Sequence, residues 1–173
     1  ATEARVEAAL ASKWDGVRKV AIEVLGRWQR GADKQRLREW AQDDGHAWYS
    51  SVRTAASQAL LSLLRHPDDD AWVLQAYASA QYVSWPWGPF VRDMDERVLD
   101  SFLHQALQQG NARQASNLAA MLLHAQRRPG EAVWQRLVNH PSPDVQVLAQ
   151  HLSRMVQVLD TPLVDIFLIA ATA

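Results

Sequence analysis

The sequence contains no cysteine, no long hydrophobic run and almost no excess of charge, and each absence excludes a class of protein. Without cysteine there are no disulfide bonds, zinc–thiolate clusters or thiol nucleophiles, and the chain suits a reducing compartment such as the cytoplasm. The most apolar run, residues 166–173, is shorter than the ~20 residues that span a bilayer, so we expect no membrane association. The net charge of −1 argues against indiscriminate binding to nucleic acid.

The sequence also lacks the motifs that commonly carry catalysis. No glycine-rich loop precedes a helix to hold phosphate, and there is no Gly-x-Ser-x-Gly elbow. Two histidines that bind one metal from a single helix are typically four residues apart, and no pair has this spacing. We therefore predict no catalytic residue, no metal site and no cofactor. The six histidines are His46, His66, His104, His124, His140 and His151.

The residues that are present are enough to build one folded domain. Of 173 residues, 48 % are hydrophobic, and we assign residues 1–173 to a single domain. Because the sequence opens on Ala1 rather than methionine, we expect it to be an excerpt from a longer chain. Charge is uneven, since residues 13–39 contain eight basic and four acidic side chains, a net +4.

One pattern, at residues 15–25, occurs again 35 residues later at residues 50–60. In both copies apolar residues stand at offsets 0, 3, 4, 7 and 8 from a valine, Val17 or Val52, which an arginine follows, Arg18 or Arg53. This spacing places the apolar side chains on one face of a helix, so Val17 and Val20 are predicted to face the core. A unit too small to bury its own apolar face, repeated at this period, is typical of a stacked helical solenoid.

Weaker copies begin at Ala115 and Val145, without the arginine. Asp15 and Asn111 are predicted to cap their helices. Residues 84–90 hold two prolines, a glycine and three large aromatic residues, and we predict a non-helical segment between two halves of the chain. The pattern otherwise predicts about ten helices and no strand. The expected helices are 2–12, 15–30, 33–42, 48–65, 69–82, 92–109, 112–126, 131–139, one from 145, and 163–171.

The motif Asp-x-Val-Arg-x-x-Ala-x-x-x-Leu at residues 15–25, its partner at 50–60 and the weaker copy at 144–152 resemble the second helices of HEAT repeats, which are armadillo-like α-solenoids. The resemblance covers most of the chain outside residues 84–90. It implies an all-α, right-handed α-α superhelix of four to five HEAT-like helix pairs. It also implies a non-catalytic scaffold or adaptor that binds a protein partner on the concave face, which the second helices line.

Two groups of residues are candidates for binding that partner. The first consists of exposed neighbours of the apolar stripes, although in HEAT repeats such arginines also bond between repeats. The second consists of aromatic residues in the proline-rich segment, which either anchor a partner or fold back over the gap between the two halves. Core packing is expected to explain the other tryptophans, including Trp14. The candidate residues are Arg18, Arg53, Arg113, Gln146, Trp85, Trp87 and Phe90.

The alternative function is nucleic-acid binding. A basic cluster can contact phosphates, with Trp28 and Trp40 between its members as stacking surfaces. The segment Trp-Asp-Gly-Val-Arg at residues 14–18 resembles a Trp-Asp-x-Val-Asp segment of HEAT-like alkylpurine DNA glycosylases, but Arg18 stands where that family has the second aspartate. The candidate phosphate-binding residues are Arg27, Arg30, Lys34, Arg36 and Arg38.

Overall fold

A computed structural model describes residues 2–42, 51–80 and 86–160, with side chains up to residue 155. Within these ranges the chain forms ten α-helices and no strand, so the all-α prediction is confirmed. A single 3₁₀ turn, Gly31–Asp33, precedes the third helix. The helices are α1 Thr2–Leu10, α2 Asp15–Trp28, α3 Lys34–Gln42, α4 Ser51–Leu61, α5 Asp70–Ser79, α6 Gly88–Arg92, α7 Glu96–Gln109, α8 Ala112–Ala125, α9 Glu131–Val138 and α10 Pro143–Asp160.

Local sequence signals account for several helix ends. The Asn111 side chain accepts a hydrogen bond from the Gln114 backbone N–H at 3.0 Å and caps α8, as predicted. The prediction for Asp15 is wrong, because Asp15 is the first residue of α2 and Trp14 holds the N-cap position. Gln29, with φ of 51°, adopts the left-handed conformation that ends α2.

The helices alternate between two sets of neighbours. Even-numbered helices contact one another in the order α2 with α4, α6 with α8, and α8 with α10. Among the odd-numbered helices α7 contacts α5 and α9, and α5 also packs against α8. Contacts between successive helices, such as α1 with α2, α3 with α4 and α9 with α10, join the two sets. We refer to α2, α4, α6, α8 and α10 as the even layer.

The apolar stripes of the even layer form much of the core. The predicted stripe is buried along α4 and along most of α8, because each of these helices has neighbours on more than one side. In α10 Val145, Ala149 and Leu152 are buried as predicted. In α2 the prediction is wrong in part, since Ala21, Ile22 and Leu25 are buried whereas Val17 and Val20 are exposed.

The proline-rich segment also differs from the prediction. It contains a helix, α6, because Pro89 lies in the first turn, where a helix has no need of the missing N–H. Trp87, at the N-cap of α6, is fully buried. Residues 84 and 85 of this segment lie outside the described residues, as do residues 48–50 of the fourth predicted helix and the whole of the predicted helix at 163–171.

Candidate functional site

An apolar groove opens on the even layer between α4, α6 and α8. Its volume is about 390 Å³, and Ser57 and Gly88 are buried at its base. The exposed side chains of Thr54, Gln58 and His124 stand around it. Two proline rings complete the lining, Pro86 and Pro89.

Two close contacts hold α6 in place and thereby shape the groove. A Cβ added to Gly88 would lie 2.5 Å from the His124 backbone oxygen, so α6 packs directly on the main chain of α8. On the other side the Trp87 indole Nε1 donates to the Ser57 backbone oxygen at 3.0 Å, which joins α6 to α4. The groove therefore has a closely packed base and a rim that offers an amide and an imidazole. Such a lining suits an apolar group with a few hydrogen bonds at its edge.

Trp87 and Phe90, predicted as candidates for binding a partner, are core residues. The Trp87 ring lies 5.2 Å from the Trp72 ring and 5.9 Å from the Tyr77 ring, between centroids. Burial in this cluster raises the pKa of the Tyr77 phenol. Phe90 stacks on His66, with centroids 4.0 Å apart. These two aromatics fold inward because the short helix α6 carries them into the contact with α4 and α8, and Trp85 lies outside the described residues.

The four polar candidates on the even layer are not equally accessible. Arg113 is exposed, and Gln146 is half-buried and donates from Nε2 to the His140 backbone oxygen at 2.8 Å. Arg18 is half-buried and pairs with Asp15 one turn earlier. Arg53 was expected to be exposed but is buried, because α4 packs against both α2 and α3 and little of its circumference faces solvent.

Most of the predicted phosphate-binding cluster is paired within the chain. Arg30 bonds Asp33 at 2.8 Å and also pairs with Glu3, and these hydrogen bonds raise the pKa of its guanidinium, Asp33 contributing most. Arg36 pairs with Glu7 at 3.1 Å. Of the five candidate cations, only Arg27 forms no ion pair with another described residue.

The remaining two cations of the cluster share one buried carboxylate. Asp69 accepts from Lys34 Nζ at 2.8 Å, and Arg38 is its second ion-pair partner. The Arg65 backbone N–H donates to the same carboxylate at 2.6 Å. Asp69 therefore ties α3 to the turn between α4 and α5, and it competes directly with any phosphate for Lys34 and Arg38.

The tryptophans of the cluster already have cationic neighbours. The Arg30 guanidinium carbon lies 4.6 Å from the Trp28 ring centroid, and that of Arg36 lies 5.2 Å from the Trp40 centroid. A base that stacked on either ring from that side would have to displace an arginine. Four of the five cations pair with four carboxylates, namely Glu3, Glu7, Asp33 and Asp69, so with Arg27 the cluster has a local net charge of only +1.

Among the described residues no three acidic, histidine or cysteine side chains lie close enough to hold a metal ion. In the same ranges no helix is long and apolar enough to cross a membrane. Among the described residues His66 Nδ1 lies 2.5 Å from Asp70 Oδ1, and this contact joins the turn after α4 to the first residue of α5.

The fold and the groove define an all-α protein with a surface site between three helices of one layer. Comparisons with protein families, with curated proteins and with solved structures find no match to this chain. The function is therefore inferred from the geometry and chemistry of this chain's own residues.

Sequence reasoning missed the groove and the exposed face of α2. The groove could have been suspected from Gly88, because a glycine between Trp87 and Pro89 indicates a close approach of two backbones. The exposed face of α2 could have been suspected from Trp14, which stands three residues before Val17. With Trp14 included, the apolar stripe of α2 is wider than one buried face requires.

Proposed function

We propose that the chain is a HEAT-like scaffold that binds a protein partner on its even layer. In this proposal the helix pairs form a right-handed superhelix, the even layer lines its concave face, and the protein works in the cytoplasm. The contacts of α2 with α4, of α6 with α8 and of α8 with α10, together with those between successive helices, support a stack of paired helices. No catalytic role is assigned to any residue.

The groove between α4, α6 and α8 is the observation that carries the proposal. A volume of about 390 Å³ accommodates one or two apolar side chains of a peptide. Gln58 and His124 stand where they can bond the peptide backbone on either side of those side chains. Arg113 and Gln146 lie on the neighbouring even helices α8 and α10 and extend the same face.

The alternative, a nucleic-acid-binding solenoid or a relative of the alkylpurine glycosylases, has less support. It requires Arg30, Lys34, Arg36 and Arg38 to exchange their carboxylate partners for phosphates. Arg18, at the position where the glycosylases have an aspartate, pairs with Asp15 instead of offering a carboxylate.

A peptide library selected on the chain tests the scaffold proposal. We expect the selection to enrich peptides with an apolar residue between hydrogen-bonding positions, and we expect Gln58→Arg, which places a bulky cation at the rim, to abolish their binding. Gln150→Arg is the matched control, because Gln150 is exposed on α10 and does not line the groove. Peptides that bind both variants equally would contradict the assignment of the groove.

Fluorescence anisotropy with labelled single- and double-stranded DNA tests the alternative. Phosphate binding would fall steeply between low and physiological salt and would be lost when Arg27 and Arg30 are changed to glutamate. We expect no such salt-sensitive binding, and finding it would replace the scaffold proposal with the nucleic-acid one.

A further inference from the structure

Helix α2 carries an exposed apolar surface at positions that the other copies of the repeat bury. Val17 is 44 % exposed and Val20 is 59 % exposed, whereas the corresponding Val52 and Ala55 in α4 are 7 % and 5 % exposed. The first position is also buried in the two weaker copies, at Ala115 and Val145. Trp14, one turn earlier, is 66 % exposed, and Val24, one turn later, is partly exposed. We call Trp14, Val17, Val20 and Val24 the end face.

In α4 one position of the equivalent surface, Ala59, lies directly against the preceding even-layer helix, α2. A Cβ added to Gly26 of α2 would lie 2.7 Å from the Ala59 Cβ, so α2 packs closely on the position of α4 that corresponds to Val24. The end face of α2 therefore has the residues and the spacing that receive a helix elsewhere in the layer. If α2 were the outermost helix of a stack, its end face would be expected to carry polar residues.

Two cations stand at the ends of this face. Lys13 precedes Trp14 and its Nζ lies 5.4 Å from the ring centroid, and Arg27 follows Val24 by three residues. Neither has an ion-pair partner within the described ranges, whereas the neighbouring Arg18 and Arg30 are both paired. From Trp14 to Val24 the apolar strip is about 15 Å long, at a rise of about 1.5 Å per residue.

A second copy of the chain fits this surface poorly. Two α2 helices packed antiparallel around Val20 would bring Lys13 of each copy beside Arg27 of the other, which places like charges together. Among the α10 side chains that the structure describes, up to Met155, the exposed ones include Gln150 and Arg154, and Val147 is the one large apolar residue among them. The complementary partner has an aliphatic stripe flanked by carboxylates.

We infer that the end face binds an amphipathic helix of a partner protein, which continues the even layer beyond α2 and places acidic side chains against Lys13 and Arg27. The apolar residues supply the contact area, and the two cations select the orientation and the sign of charge. This surface is separate from the groove between α4, α6 and α8, so the chain would hold two partners, or two parts of one partner, at once.

The test uses a labelled, side-chain-stapled helical peptide as the probe. One face of the peptide carries Ile, Leu and Gly with the spacing of Ile22, Leu25 and Gly26. In α2, Gly26 lies against α4, and Ile22 and Leu25 are buried. Glutamates flank this apolar stripe of the peptide. A second peptide has the same stripe with lysines in place of the glutamates. Fluorescence anisotropy at low salt should show the acidic peptide binding at least about tenfold more tightly than the basic one, and the difference should shrink as salt screens the charges.

Variants of the chain assign the binding to the end face. The double variant Val17→Ser with Val20→Ser should weaken binding of the acidic peptide at least about tenfold, because the apolar contact is lost. Val147→Ser, an exposed valine on α10, should leave it unchanged. Circular dichroism should show the same melting temperature for both variants, since none of the three valines is buried.

Three results would overturn the inference. These are no binding at millimolar peptide, equal binding of the acidic and basic peptides, and equal binding by the double variant and the wild-type chain. Sedimentation equilibrium of the chain alone supplies a further check. A dimer that the double variant abolishes would assign the end face to a second copy instead of a partner helix.

Discussion

Replacing Trp87 with alanine distinguishes a core residue from an exposed binding residue. The indole is fully buried, contacts Trp72 and Tyr77, and donates one hydrogen bond to the Ser57 backbone oxygen. All of these contacts are lost in Trp87→Ala, and the space between α4 and α6 is left unfilled. We expect a folded but much less stable protein.

The size of the loss follows from the buried area. An aromatic side chain buries about 150–250 Å², which at about 25 cal/mol per Å² corresponds to roughly 4–6 kcal/mol. Alanine retains part of that contact, and the reference area is an upper bound, so about 3–5 kcal/mol remains, in line with Trp→Ala changes in other cores. The lost hydrogen bond contributes about 1 kcal/mol in addition.

Urea unfolding followed by far-ultraviolet circular dichroism measures the free energy of unfolding. The control is Trp14→Ala, the same substitution at an exposed tryptophan, for which we expect a change of less than about 1 kcal/mol. The m-value should be the same for both variants if unfolding stays two-state. A loss below about 1 kcal/mol for Trp87→Ala, with an unchanged m-value, would refute its assignment to the core.

Three further substitutions test the packing of the stack by the same unfolding measurement. Asp69→Asn removes the carboxylate shared by two cations of α3 and should cost about 2–4 kcal/mol, whereas Asp68→Asn, at an exposed neighbour, should be neutral. Gly88→Ala forces a Cβ against the backbone of α8 and should cost at least about 1–3 kcal/mol, whereas Gly16→Ala, with no atom within 4 Å, should be neutral or stabilising. Asn117→Ala removes a buried hydrogen bond of 2.8 Å to the Ala80 oxygen and should cost about 1–2 kcal/mol. Equal losses in a variant and its control, or no loss for Asn117→Ala, would contradict these assignments.

The helical pattern was predictable from the sequence because periodicity reports which side of a helix is buried. The predicted stripe is buried along α4 and, in α10, at Val145, Ala149 and Leu152, and Asn111 caps α8 as its position indicates. These features depend on residues close together in the chain. The bounds of most helices differ from the prediction by a few residues at their ends.

What the sequence did not predict depends on which neighbours each helix has. The apolar residues of α2 stand at the same positions of the motif as those of α4. Val17 and Val20 are nevertheless exposed, because no other described helix covers them. Arg53 has the same place in its motif as Arg18 but is buried, since α4 lies between two neighbours. Ion pairs such as that of Lys34 with Asp69 join residues 35 positions apart, and net charge along the sequence could not reveal them.

The five-residue length of α6 has a consequence for how this protein obtains a recognition site. The other even-layer helices have 11 to 18 residues, so within residues 51–80 and 86–155 α6 leaves the sides of α4 and α8 uncovered over part of their length. The groove lies in that gap. A short helix between two longer ones can thus leave a pocket on a helical surface, while the longer helices keep their sequences. Lengthening α6 by two turns would erase the pocket without altering any side chain that lines it from α4 or α8.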